Sequence, residues 1–575
     1  SLENGRVYIS EDGTDGSFLL YDASAFQNRS GISRTCLTIS PQNPDVMYVM
    51  FVTQDATACF NSIFKTTDGG ETWNLHLQKF PGFDPMFNGQ WCQSNYDATI
   101  HVSPTDDNTI YIGGVTLYRF DGNLTRIATN GGGLPIGDLL PNFVHSDKHY
   151  ITSSPNNPNR LYVTSDGGIS RSTDNGDTWR GLNKGFVTTQ FYGIAHASDE
   201  NIIMGGTQDQ GTPAVLGDNP NDPNAAINVS GGDGFDCAIS QYSDIYFSTS
   251  QLGVIYRGEA GLPSASLADG DQATPGDFYT NVRLWESKND LTSKDSLLFT
   301  VDPFLQSIAT SNGIIRNYSE TVTPVQPDAI IIQESLTVKS GAQQLTLAAD
   351  LTTLEGDGEG SVTWNSDGSF AVQVTFDVAP AENSNIDVEY EVRFEANSIL
   401  YVESKNMKSN SVTLLIEHRL ESDLNPGDQI KIQDPAQSML ATDAFAGLHI
   451  YRNVLNASDL PVGEQIAIPG IGNVQEIQFT KDGNTLFAGT SSGAVYRVTG
   501  LNELYTSDDV ANLEIDNILN VGGTALGIAI DPNDANRLVV TGTGFGSTNR
   551  VRYSTNALST NPTVTNVQGH LPETP

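Results

Sequence analysis

Short apolar runs alternate with clusters of Pro, Asn, Asp and Gly along most of the chain, and one unit of that alternation recurs. A turn of the form Ser/Asp-Pro-x-x-x-Asn/Asp followed by an apolar strand stands at SPQNPDVMYVMF from Ser40, SPTDDNTIYIGG from Ser103, SPNNPNRLYVTS from Ser154 and DPNDANRLVVTG from Asp531. Looser copies begin at Ser198, Tyr242 and Lys481. The strand centres, near Tyr48, Tyr111, Tyr162, Ile203, Tyr246, Leu486 and Leu538, lie about 40 to 60 residues apart where consecutive, which is the period of a propeller blade. Third strands such as ISRST from Ile169, VIYRG from Val254 and AVYRV from Ala494 complete units of four antiparallel strands. The expected fold is all-β: a β-propeller of about seven to nine four-stranded blades.

Two units carry a sharper signature, KTTDGGETW from Lys65 and RSTDNGDTW from Arg171. Both match S/T-x-D-x-G-x-T-W, the Asp-box. Its physics is local: Asp68 or Asp174 and Thr72 or Thr178 tie down the turn between third and fourth strands. Gly70 or Gly176 supplies a left-handed backbone, and Trp73 or Trp179 fills the gap between sheets. These residues are therefore structural. A worn copy, SEDGTDGS from Ser10, predicts an additional hairpin near the N-terminus.

On these boxes, and on segments such as QWCQSNYDATIHV, VHSDKHYITSS, TTQFYGIAHAS, GGTQDQGT and GGDGFDCAIS, the chain resembles secreted bacterial BNR/Asp-box repeat β-propellers of the sortilin/VPS10-like, WD40/YVTN/BNR-like class. The resemblance covers residues 33–318 and 432–575. Many such proteins leave the cell by type IX secretion, which implies an extracellular or bacterial cell-surface location. Likeness to Asp-box xyloglucanases extends to the fold alone, and fold does not carry function.

The repeat breaks between about Glu320 and Ile430. TVTPVQPDAIIIQESLTVKSGAQQLTLAADL and the segments after it read as alternating strands with acidic turns and no Asp-box. The expected division is blades over 1–319, an inserted β-rich, sandwich-like domain over 320–431, and blades again over 432–575; an elaborated pair of blades is the competing reading. The segment from Gly427 echoes VDPFLQSIATSNGIIRN from Val301, which places the insertion between two related repeats. The final NVQGHLPETP reads as the linker into a further blade of a longer protein. LPET there lacks the Gly, apolar span and basic tail of a sortase signal.

Charge narrows the partners. Sixty-eight acids against 29 bases give a net charge of −39, spread through the turns. That repels a phosphate backbone, so nucleic acid is excluded. No run approaches the roughly 20 apolar residues of a membrane helix, so direct membrane insertion is not expected. Four cysteines form no CxxC pair. Cys59 and Cys92 fall in loops on one face of adjacent blades, where a disulfide suits an oxidising compartment; Cys36 and Cys237 open first strands as buried thiols. Trp91 and Tyr96 could form a sugar-stacking platform or pack at a blade edge.

In a propeller, the loop into the first strand and the loop between second and third strands share one face. His145, Asp147 and His149 therefore join Asp166 on a face that Gln208, Asp209, Asp233 and Asp236 extend near the channel. As metal ligands these residues could build an oxygen-rich shell for calcium or a mixed shell for a transition metal; no cofactor is fixed by spacing. Alternatively Asp and Gly cap the turns while His packs in the channel wall. As a glycosidase, Asp147, Asp166, Asp209 and Asp236 could supply the acid and its partner carboxylate. A sialidase needs converging arginines, which these stretches lack. The expected function is a protein- or glycan-binding or scaffold module, part of a larger extracellular protein. A glycoside hydrolase and a structural subunit of a surface assembly are the alternatives, and the oligomeric state is left open.

Overall fold

The computed structural model describes residues 6–21, 25–26, 31–55, 59–87, 92–129, 140–185, 188–197, 202–215, 226–259, 264–269, 278–324, 326–408, 412–444, 447–456, 465–544 and 549–569. Trp91 and the LPET stretch at 571–574 lie outside them. Among the described residues the chain folds into eight four-stranded antiparallel sheets of a β-propeller, a two-stranded hairpin and a β-rich insertion. The first strands of the eight blades are Ile32–Ile39, Thr99–Val102, Lys148–Ser154, Phe191–Ala197, Cys237–Ile239, Val282–Ser287, Val474–Phe479 and Ala525–Asp531. First strands of neighbouring blades pack on each other from blade 1 to blade 3 and from blade 4 to blade 8.

The repeated turn explains the repeated motif. In blade 1, Ser40 Oγ accepts from the amides of Gln42 and Asn43 at 3.1 and 3.2 Å, and Ser40 N donates to Val46 O at 2.9 Å. Blade 2 repeats this with Ser103, Asp106 and Thr109: Ser103 N reaches Thr109 O at 2.8 Å and Asn108 N reaches Asp106 Oδ1 at 3.0 Å. The Tyr at the strand centre of blades 1 and 2 then reaches the following blade. Buried Tyr48 donates to Asp107 O at 2.6 Å, and Tyr111 donates to Asn175 O at 3.2 Å. Second strands such as Ile245–Ser250, Gln437–Thr442 and Thr485–Thr490 are buried throughout, because a blade's inner strands are covered on both faces.

Both Asp-box turns close by the same bonds. Asp174 Oδ1 accepts from Ser172 Oγ at 2.7 Å and Thr178 N at 2.9 Å, and Oδ2 accepts from Thr178 Oγ1 at 2.6 Å. Gly176 has φ +93°. Trp179, 6% exposed, donates to Ile127 O and Gly176 O at 3.2 and 3.1 Å, so it plugs blade 3 against blade 2. Asp68, with Thr66 and Thr72, repeats the turn in blade 1, where Trp73 is buried in the core. The hairpin Val7–Ile9 with Leu19–Tyr21 is turned by Asp12, which accepts from Thr14 N at 3.0 Å, and its Val7 joins Phe26 and Trp73 in one core with blade 1.

The insertion corrects the expected boundaries. It leaves after Ser287, the end of the first strand of blade 6, and returns at Gln437, the start of the second; Ser287 and Gln437 are register partners. It is therefore spliced into one blade, not placed between two, and residues 301–319 belong to it. Its neck is the pair Ser296–Thr300 with Gln429–Gln433. Beyond lies one eight-stranded sheet whose two edge strands, Phe304–Thr310 and Asn317–Val322, come back into contact, rolling it around a core that includes Val338, Leu345, Phe370, Phe376, Val388 and Tyr390.

Candidate functional site

The loop into blade 3 carries Asp147 and the turn between its second and third strands carries Asp166; the same turn of blade 4 carries Asp209. One carboxylate oxygen from each lies within 4.8 Å of the other two. Asp147 and Asp209 both adopt left-handed backbone, φ 61° and 62°, which turns their side chains inward at the end of a strand. Asp209 is held from two sides: its N–H donates to Asp233 Oδ1 at 2.7 Å, and its carbonyl lies 2.7 Å from His145 Nε2. Gln251 Nε2 donates to the other oxygen of Asp233 at 2.6 Å. Asp166 bonds His149 Nε2 and accepts from Tyr96 Oη at 3.1 Å, while the Tyr96 and His149 rings meet edge to face at 4.9 Å. A Cβ on Gly167 would lie 2.4 Å from His145 Cγ, so glycine there lets the imidazole lie against the turn.

The electrostatics are those of crowded like charge. Burial pushes the Asp209 carboxyl up, reinforced by Asp166 and Asp233; burial pushes Asp147 up, with Asp166 adding to it. Asp97, on the loop into blade 2, is fully buried against Asp147 and is pushed up to about 9, by burial first and then by Asp147. Lys148 is equally buried. Its ammonium donates to Val115 O at 2.7 Å, and burial pushes it down to about 7 against the pull of Asp147 and Asp97.

Two of the expected residues stand apart. Gln208 accepts from Tyr192 Oη at 3.0 Å. Asp236 faces a different cavity and is ion-paired to Arg283, which also reaches Glu476 Oε1 at 3.1 Å. Burial raises Asp236 and Glu476 while Arg283 lowers both; burial opposes the guanidinium charge, but the two carboxylates outweigh it and raise Arg283. This cavity, about 850 Å³, lies among the first strands of blades 4 to 8 and is lined by Tyr192, His196, Asp236, Tyr279, Arg283 and Glu476 among others. A three-carboxylate cluster thus stands at blades 3 and 4, and a mixed-charge cavity lies among the first strands beyond it. Cys59 and Cys92 form a disulfide joining the third strand of blade 1 to the loop into blade 2; Cys36 is half-buried and Cys237 buried.

Sequence reasoning missed Asp97, Lys148, Arg283 and Glu476. Asp97 had a signal: it precedes a first strand as Asp147 and Asp236 do. Arg283 and Glu476 had none, since they meet across blades 193 residues apart.

No family model and no curated protein matches this chain. Among solved structures it is similar to the GH74 xyloglucanase of Xanthomonas campestris, 12% identical over 93% of this chain and 73% of that one, with a TM-score of 0.20. YCF48 bound to a D1 peptide is 10% identical over 65% of this chain and 87% of its own, TM-score 0.21. Sqt1 of Chaetomium thermophilum bound to the N-terminus of ribosomal protein L10 is 11% identical over 89% and 95%, TM-score 0.26. Scores of this size carry no functional argument, and the propeller is read from its own sheets.

Proposed function

We propose that this propeller is a binding or scaffold module of an extracellular or bacterial cell-surface protein of the Asp-box, sortilin-like class exported by the type IX route, and that its ligand is another surface protein or a glycan. The observation that carries this reading is the cavity of about 850 Å³, whose lining mixes an arginine, three carboxylates, a histidine and two tyrosines. Such a wall offers hydrogen bonds of both senses together with aromatic faces, which is the chemistry that holds a sugar ring or a polar peptide. The net charge of −39 and the Cys59–Cys92 disulfide support export. Glycan and surface-protein arrays probed with the wild-type chain and with Arg283→Ala test it. The expected result is a binder that the variant loses while its circular dichroism is unchanged; a binder held equally by both refutes the cavity as the site.

Glycoside hydrolysis is the second reading, favoured by one observation: the raised Asp209 carboxyl beside Asp166 has the pattern of a proton donor next to a second carboxylate. Against it, three acids converge on one point, whereas a glycosidase sets two acids on either side of the bond it breaks. Reducing-end release from a polysaccharide panel, abolished in Asp209→Asn, is the result that would establish it.

A further inference from the structure

The three-carboxylate cluster has a second feature that points to a ligand. Behind it Asp97 is completely buried against Asp147, and neither Asp97 oxygen has a hydrogen-bond donor; Asp147 Oδ1 is also buried without one. Buried carboxylate oxygens are almost always satisfied, so this cluster is short of positive charge. One buried cation, Lys148, acts on both Asp147 and Asp97, and it is a single charge among several acids. Lys148 directs its ammonium to Val115 O, His145 Nε2 meets the Asp209 carbonyl and not its carboxylate, and His149 bonds Asp166. The surrounding bonds orient the acids: Tyr96 and His149 fix Asp166, while Asp233 and His145 fix the Asp209 backbone.

The ligating atoms on offer are carboxylate oxygens, which select a hard cation. Oxygens on opposite sides of Ca²⁺ lie about 4.6–5.2 Å apart, whereas around Mg²⁺ they must close to about 4.2 Å. Mg²⁺ also keeps several of its waters and takes one or two carboxylates, so three protein carboxylates gathered at one point suit the larger ion. We propose that Asp147, Asp166 and Asp209 hold a Ca²⁺ ion, and that the ion ties blade 3 to blade 4. This stands independently of what the cavity beside Arg283 binds.

The test is calorimetric titration of the EDTA-stripped, dialysed chain with CaCl₂ and separately with MgCl₂, together with thermal unfolding in each salt. The expected result is one saturable Ca²⁺ site, at least about tenfold tighter than for Mg²⁺, with a higher unfolding temperature in Ca²⁺. Asp147→Asn and Asp209→Asn should each weaken Ca²⁺ by about a hundredfold or more, and the exposed Asp508→Asn should leave it unchanged. The proposal is overturned by a wild-type chain with no saturable Ca²⁺ site, by equal affinity for Mg²⁺, or by a folded Asp209→Asn that binds as tightly as wild type. Stoichiometry and ion preference are read on the unaltered chain, so a variant that fails to fold does not shelter the idea.

Discussion

Removing the Cys59–Cys92 bond gives the most quantitative check on how blades 1 and 2 are held. The bond closes a loop with a sequence separation of 33 and joins the start of Phe60–Thr66 to the loop leading to Thr99–Val102. Loop-closure entropy for 33 residues is about 12.5 cal/mol/K, or about 3.7 kcal/mol at 25 °C. Other ties across this junction persist in its absence: Asp84 accepts from Cys59 N and Phe60 N at 2.7 and 3.1 Å, and Tyr48 still reaches Asp107. The perturbation is Cys59→Ala with Cys92→Ala, with the wild-type chain in reductant as a control that changes no side-chain volume. A 575-residue propeller is not expected to unfold in one step, so the readout is amide hydrogen exchange in the strands Met47–Thr53 and Ile110–Gly113. A loss of about 3.7 kcal/mol corresponds to exchange roughly 500-fold faster through the opening of blades 1 and 2. Exchange within about threefold of wild type would refute the reasoning, showing that the unfolded reference is not released by cutting the loop.

Further outcomes follow from single contacts. Trp179→Ala should destabilise by about 3–5 kcal/mol, read as a lower unfolding temperature, while leaving ligand binding intact, because its ring plugs blades 2 and 3 away from the candidate site. Gly206→Ala should lower stability sharply, since its Cβ would stand 1.7 Å from Phe235 O, and the expected product is a chain recovered in aggregates. His101, lowered from 6.5 to about 4 by burial, stays neutral in the fold while the unfolded chain takes up a proton. Its contribution is therefore intact above about pH 6.5 and lost as pH falls toward 4, up to roughly 3 kcal/mol, and His101→Gln should flatten that part of a pH-dependent denaturation series. Replacing residues 288–436 with Asn-Gly should leave the propeller folded by circular dichroism, because Ser287 and Gln437 already face each other as hairpin partners.

What could be read from the sequence is what the chain decides locally. The Asp-box needs only Ser172, Asp174, Gly176 and Thr178, all within one turn, and its bonds form within seven residues. The Ser-Pro turns are equally local, so blade number and strand order were within reach. The insertion was legible as a break in the repeat but not in its limits, since pairing of Val282–Ser287 with Gln437–Thr442 skips the whole insertion and leaves no mark on either segment. The candidate site divides in the same way. Asp147, Asp166 and Asp209 share a face by the geometry of any blade, and they do meet. Asp236 shares that rule yet turns to Arg283, because a guanidinium from blade 6 neutralises it. Asp97 went unnoticed because a lone Asp before a strand is ordinary until Asp147 is seen against it.

The most direct test of the functional account is the affinity of a ligand from the glycan and surface-protein arrays for three chains: wild type, Arg283→Ala and the Asp-box variant Asp174→Ala. The account predicts binding by wild type and Asp174→Ala and at least about a tenfold loss in Arg283→Ala, which leaves two buried carboxylates unpaired in the cavity. Equal affinity in all three chains, or release of sugar products from the bound ligand by the wild-type chain, would contradict it.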